Sequence, residues 1–284
     1  MWVKDVFGKA KVVIGMVHLC ALPGTPLYDE KAGMPAIVEA AGRDLDALQE
    51  GGIDAVMFCN ENDRPYQLAV GSAQVAAMAF VMGRLRERIC VPFGADLLWD
   101  PEASISVAHA AGAAFVRDVF TGAYASDMGI WSPDAGRALR HRRNTGAGAV
   151  KVLFNINAEF AAPLGARSLA DVAKSVAFGS LPDGICVSGA MTGSQVDVAS
   201  LESVKRVVGG VPVFVNTGVC ADNVAQYLSI ADGAIVGTSL KVDGITWNPV
   251  DEERVKRLMA VVNGLRQSDE PRQSDGSRQS EGLR

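Results

Sequence analysis

Polar and acidic side chains recur where short apolar runs stop. His18 follows residues 12–17, and Asn60, Glu61, Asn62 and Asp63 follow residues 53–59. Asp96 follows residues 89–95, Arg117 and Asp118 fall inside residues 114–119, and Asn155 follows residues 149–154. Carboxylates and an imidazole move protons near neutral pH when burial or neighbours tune them. Asp96, Asp118, Glu61 and His18 are therefore the candidates for acid–base work. Asn60, Arg117 and Asn155 are candidates for ligand contacts. Arg117 and Asp118 also read as an internal ion pair, and residues 60–63 also read as a helix-capping loop. No ligand spacing specifies a metal, which leaves a divalent cation open, and no cofactor is evident. Lys151 shares strand parity with Asn155 but lies four residues nearer the start of its run, a poor position for Schiff-base chemistry at an open end.

Two glycine turns carry a second kind of chemistry. The segment VPVFVNTGVCADNVAQYLSIADGAIVGTSLK reads as strand, glycine turn, helix, strand and glycine turn. Backbone N–H groups in such turns, next to a helix start, make a cradle for phosphate. Asn216, Thr217, Gly218, Gly237, Thr238 and Ser239 are the candidate cradle. Residues 188–193, with Ser188 and Gly189 foremost, are a candidate third wall. The same glycines also serve tight turns between strand and helix.

Something must gather these residues from the whole chain. Eight near-continuous apolar runs, at 12–17, 53–59, 89–95, 114–119, 149–154, 183–187, 211–215 and 233–236, read as strands covered on both faces. Helix-like stretches alternate with them at 36–49, 75–88, 101–111, 133–145, 168–178, 201–208, 223–230 and 252–263. Asp100 before Pro101, and Ser132 before Pro133, look like N-caps with proline in the first turn. Eight strand–helix units point to a single-domain (β/α)8 TIM barrel over residues 1–265. In that fold the residues just past each strand share one rim, and the loops after strands seven and eight are its usual phosphate site. Residues 266–284 run RQSDEP, RQSDGS, RQSEGL. This polar repeat is too poor in apolar residues to fold, so a disordered tail is expected.

Composition narrows the partners. The chain has 284 residues, 49% hydrophobic and 21% charged, with 27 basic against 32 acidic side chains. A net charge of −5 lacks the basic footprint of a nucleic-acid binder. No apolar run reaches the ~20 residues that span a bilayer. The five cysteines include no CxxC and read as reduced thiols of a cytoplasmic protein. The signatures GxxxxGK[ST], HExxH, GxSxG and a post-strand GxGxxG are absent. A phosphorylated small molecule is the expected partner, with a homo-oligomer left open.

The pieces GMVHLCALPGTP, GGIDAVMFCNENDRPY, GADLLWDPEASISVAHAAGAAFVRDVFTGAYASDMG, ICVSGAMTG and NTGVCADNVAQYLSIADGAIVGTSLK together resemble the BtpA/SgcQ family. The resemblance spans about residues 12–260. FCNENDRPY and VFTGAYASDMG resemble its SgcQ-like branch. Cys59 and Asn62 stand where the photosystem I biogenesis branch tends to carry Glu and Gly. The resemblance implies a (β/α)8 fold related to phosphate-binding barrels and, for SgcQ-like members, a nucleosidase or sugar-metabolism role. It transfers no catalytic residue. Three functions are compatible with it: an enzyme (hydrolase, lyase or isomerase) on a sugar phosphate or nucleoside-like molecule, an assembly factor, or a sugar-phosphate sensor.

Overall fold

The computed structural model describes residues 2–269. Eight parallel strands close a barrel: β1 (Val12–His18), β2 (Ala55–Cys59), β3 (Phe93–Asp96), β4 (Phe115–Asp118), β5 (Lys151–Asn155), β6 (Gly184–Ser188), β7 (Val213–Asn216) and β8 (Gly233–Val236). Each pairs with its sequence neighbours, and β8 closes on β1. The helices that follow the strands are α1 (Gly33–Glu50), α2 (Ser72–Leu85), α3 (Pro101–Ala111), α4 (Ala135–Asn144), α5 (Leu169–Gly179), α6 (Val198–Val207), α7 (Val224–Leu228) and α8 (Glu252–Asp269). The expected TIM barrel is the observed fold.

Strand parity divides the core in two. Val13, Val56, Val116, Val152 and Val215 face outward and pack under the helices. Ile14, Met57, Phe115, Leu153, Cys186 and Phe214 face inward and fill the barrel. The same alternation sets the mouth. Cys59 is the register partner of both His18 and Asp96, and Ser188 is the partner of Asn216. Five polar or ionisable side chains therefore gather at the C-terminal ends of five strands.

The opposite end is sealed in two ways. A short helix, Trp2–Phe7, plugs it. Its Phe7 ring meets Phe115 edge-on at 5.5 Å, and the Trp2 ring lies 6.5 Å from Phe214. In addition, at three of the even-numbered strands an aspartate just ahead of the strand accepts the first or second N–H of the strand before it. Asp54 accepts from Val13 at 2.9 Å, Asp183 from Val152 at 3.0 Å, and Asp232 from Val213 at 2.7 Å. Each carries a cation: Lys9 and Arg266 on Asp54, Arg142 and Lys151 on Asp183, Lys205 on Asp232. Lys151 thus lies at the closed end, as its parity position implied.

Several boundaries differ from the sequence reading. β3 starts at Phe93, four residues into that apolar run, and the helix before it ends at Leu85, where a 3-10 turn, Arg86–Arg88, takes over. Asp134, not Ser132, caps α4, accepting from the Arg137 N–H at 2.9 Å. α8 runs through Asp269, past the expected boundary at residue 265. Arg266 holds it there, donating to Lys11 O at 2.8 Å and pairing with Asp54. The rest of the polar repeat lies outside the described residues. A three-stranded antiparallel sheet (Tyr124–Ser126, Gly129–Trp131, Ala161–Pro163) joins the loops after β4 and β5, and sequence alternation did not announce it.

The plug is a testable part of the barrel. Phe7→Ala should cost about 3 kcal/mol or more, in line with large-to-small changes at buried aromatic sites. Chemical denaturation checks it; a loss below about 0.5 kcal/mol would mean that the plug does not stabilise the barrel.

Candidate active site at the barrel mouth

A cavity of about 320 Å³ opens at the C-terminal ends of the strands. Its floor is built by inward-facing residues. Arg117, from β4, is buried and donates through Nη2 to Asp96 Oδ2. Its Nη1 lies 3.6 Å from Glu159 Oε1. Asn216 donates to Glu159 Oε1 at 3.2 Å and to Ser188 Oγ at 2.8 Å. Thr192 Oγ1 lies 3.2 Å from Glu61 Oε1 and 3.3 Å from Glu159 Oε2. Tyr66 OH sits 3.3 Å from Glu61 Oε1, and the Cys59 thiol 3.8 Å from Glu61 Oε2. His18 completes the wall, with its buried Nδ1 unpartnered.

Burial sets the protonation of this floor. It pushes Asp96 up to about 6, although Arg117 and the Cys59 thiol work the other way. It raises Glu61 and Glu159 as well, again against the pull of Arg117. Burial and then Lys241 hold His18 well below the usual imidazole range, so it lines the cavity as a neutral ring. Burial disfavours the Arg117 charge too, but Asp96 and Glu159 more than offset it and its pKa rises. Cys59 stays a thiol, kept so by burial, Asp96 and Glu61.

The other rim is built by the turns after β7 and β8. Thr217, Gly218, Gly237, Thr238 and Ser239 line it, together with Gly193, Gly244 and Arg254. The structure changes the reason for two glycines. A Cβ on Gly218 would lie 2.4 Å from Gln195 Cα, and one on Gly237 would lie 3.1 Å from His18 Cε1. Both positions are small because protein packs against them. Thr217 holds a left-handed backbone (φ 81°), fixed by its hydroxyl, which donates to Ser194 O at 2.8 Å and accepts from the Gly189 N–H at 2.8 Å. A non-glycine residue held in that region marks a position over-determined by its surroundings.

The expected site residues thus divide. His18, Glu61, Arg117, Asn216, Thr217, Gly218, Gly237, Thr238 and Ser239 meet on one cavity, drawn from β1, β2, β4, β7 and β8. Asp96 lies behind that wall, locked to Arg117 with no exposed surface. Ser188 and Gly189 stand behind the rim, their polar groups engaged by Asn216 and Thr217. Asn60 braces the protein instead of the cavity: Nδ2 donates to Asp63 Oδ2 at 3.0 Å and Oδ1 accepts from Leu98 N–H at 2.9 Å. Asn155 is buried inside the barrel with both amide atoms unpartnered, and does not line the cavity. Asp118 is a correction. One residue past Arg117, it has the opposite parity, faces outward, and accepts from Ser104 Oγ at 3.2 Å and Val119 N–H at 2.7 Å.

Two wall residues, Glu159 and Arg254, escaped the sequence reading, and Thr192 came only within residues 188–193. Glu159 lies four residues past Asn155, in the same post-strand loop but beyond the segment taken as the strand end. Thr192 stands in the loop after β6, and Arg254 in the first turn of α8. Both are ordinary surface residue types, and only the closure of the ring makes them neighbours. Among the described residues no His, Cys, Asp or Glu group is arranged to hold a metal ion, and no helix is long and apolar enough to cross a membrane.

The BtpA family profile matches residues 9–264. The chain belongs to the BtpA family. It is 48% identical over 266 residues to the protein SgcQ of Escherichia coli K12, covering 94% of this chain and 99% of that one. It is 33% identical over 258 residues to the photosystem I biogenesis protein BtpA of Synechocystis, covering 89% of each. SgcQ is thus the nearer of these two, as FCNENDRPY and VFTGAYASDMG implied. This BtpA-family barrel also resembles a thiamine phosphate pyrophosphorylase from Pyrococcus furiosus (TM-score 0.53, 15% identity, 90% and 96% covered). A phosphoribosyl anthranilate isomerase from Thermus thermophilus gives TM-score 0.53 at 14% identity, with 90% and 100% covered. These two likenesses concern the fold alone.

The parity assignment predicts that Asp118→Asn spares the cavity. Burial first, then Asp96, raises Asp118 well above the usual carboxylate range. A raised acid contributes stability that is full below its unfolded pKa and is lost as pH rises toward its folded pKa. The Asn variant lacks that loss, so its stability relative to the parent should grow between about pH 4 and pH 7. Melting curves across that range check it, and a difference that shrinks with rising pH would contradict the buried, protonated assignment.

Proposed function

We propose that the mouth binds a phosphorylated sugar or nucleoside-like small molecule and acts on it by acid–base chemistry, in the cytoplasm. One observation carries this reading: the two walls of a single cavity differ in chemistry. One wall is glycine turns, the hydroxyls of Thr217, Thr238 and Ser239, and the guanidinium of Arg254. The other is Glu61, Glu159, Asn216 and Arg117. The first suits a phosphate: small residues let it approach, Thr238 Oγ1 can donate to it when Thr246 supplies the hydrogen between those two hydroxyls, and Arg254 supplies the charge. The second suits a hydroxyl-rich body, since the carboxylates and Asn216 Oδ1 accept from hydroxyls, the Asn216 amide hydrogens being held by Glu159 and Ser188, while Arg117 donates.

The chemistry follows from the acid wall. Glu61, its pKa raised by burial, can give a proton to a departing or carbonyl oxygen. His18 stands across the cavity as a neutral imidazole able to accept or donate one hydrogen bond. Hydrolysis of a glycosidic bond, lysis and isomerisation all draw on these same groups. Asp96 works at one remove, holding the Arg117 guanidinium in place.

The reading is tested with ribose 5-phosphate, hexose phosphates, ribose and nucleosides, following melting temperature and product together. Stabilisation by a phosphorylated member with turnover is expected, and no response to any member would contradict the reading. Arg254→Ala should weaken ribose 5-phosphate binding about 10- to 100-fold, the usual worth of a charge-assisted contact, and leave ribose binding unchanged. Equal losses for both ligands would place the phosphate elsewhere.

A further inference from the structure

We infer that Glu61 and Glu159 share one proton through the Thr192 hydroxyl, so that the mouth holds a ready acid and a ready base side by side. This rests on the reading of the mouth as an acid–base site, but its argument is geometric. Thr192 Oγ1 lies 3.2 Å from a Glu61 oxygen and 3.3 Å from a Glu159 oxygen. A threonine hydroxyl has one hydrogen and lone pairs to spare. Two ionised carboxylates cannot both receive that hydrogen, whereas one ionised and one protonated carboxyl satisfy both contacts. The protonated one donates to Oγ1, and Oγ1 donates to the other.

The surroundings say which is which. Glu159 faces the Arg117 guanidinium at 3.6 Å and accepts from Asn216 at 3.2 Å, donors that favour its ionised form. Glu61 faces the Tyr66 hydroxyl, the Cys59 thiol and Thr192, with no cation in contact. Arg117 is already committed to Asp96. Glu61 therefore carries the proton and Glu159 the charge. They are also the two carboxyl groups on the cavity wall, whereas Asp96 is behind it and Asp118 outside the barrel.

The proton count closes. Glu159 takes a proton from substrate or water while Glu61 delivers one to the leaving or carbonyl oxygen. Afterwards Glu159 is the acid and Glu61 the carboxylate. The Glu159 proton passes to Oγ1 as the Thr192 proton passes to Glu61, which restores the start without exchange with solvent.

Carbon-13 NMR of the full chain, labelled at glutamate Cδ, tests the pair without any ligand. At pH 7 one glutamate carbon should sit at its protonated position, and Glu61→Gln should remove that signal. Thr192→Val, which keeps the shape and loses the hydroxyl, should uncouple the two titrations, and Thr192→Ser should restore the parent pattern. Fully ionised glutamates at pH 7, or an unchanged titration in Thr192→Val, would overturn the shared proton. In turnover of ribose 5-phosphate, Thr192→Val should lose at least about tenfold in kcat with KM unchanged, and Thr192→Ser should not. Failure of that sugar phosphate to bind counts against the proposed ligand, and the NMR titration still decides the proton.

Discussion

Arg117 is the charge on which the mouth depends. A guanidinium buried without partners costs several kcal/mol, so its neighbours are constrained to be acidic. Asp96 meets it directly and Glu159 meets it more loosely. That arrangement leaves two further consequences. Asp96 is used up as a counter-charge, and the remaining acids, Glu61 and Glu159, face the cavity with less positive charge than they need. Their protonation is thereby a property of the barrel interior and not of either residue alone.

Strand parity then decides who takes part. Arg117 and Asp118 are adjacent, yet one reaches the cavity and the other reaches Ser104 on α3. The register that pairs His18 and Asp96 with Cys59 is fixed at the far end of the barrel. There Asp54, Asp183 and Asp232 clip neighbouring strands together, and Trp2 and Phe7 fill the space below Phe115 and Phe214. A slip of one residue would exchange lumen and outer faces all round the mouth.

Much of this was legible in the sequence. Continuous apolar runs separated by helical periods reveal the eight units, because strands covered on both faces need apolar residues at both parities. The same rule placed the β7 and β8 turns at the mouth and Lys151 at the closed end. What stayed hidden depends on partners remote in sequence. The parity of Asp118 could have been counted from Arg117, but which of the two faces inward could not. Asn60 looked free and is engaged by Asp63 and Leu98. Glu159 reaches the wall from an irregular loop that also contributes to the small antiparallel sheet. The need for glycine at 218 and 237 comes from Gln195 and His18, residues of other units.

The central claim is that one cavity presents a phosphate wall and an acid wall to the same molecule. The most direct test is a crystal structure with ribose 5-phosphate soaked in. The phosphate should lie against Thr238, Ser239 and Arg254, with sugar hydroxyls on Glu61 and Glu159. A sugar phosphate seated away from the strand ends, or turned with its phosphate on the acids, would contradict the account.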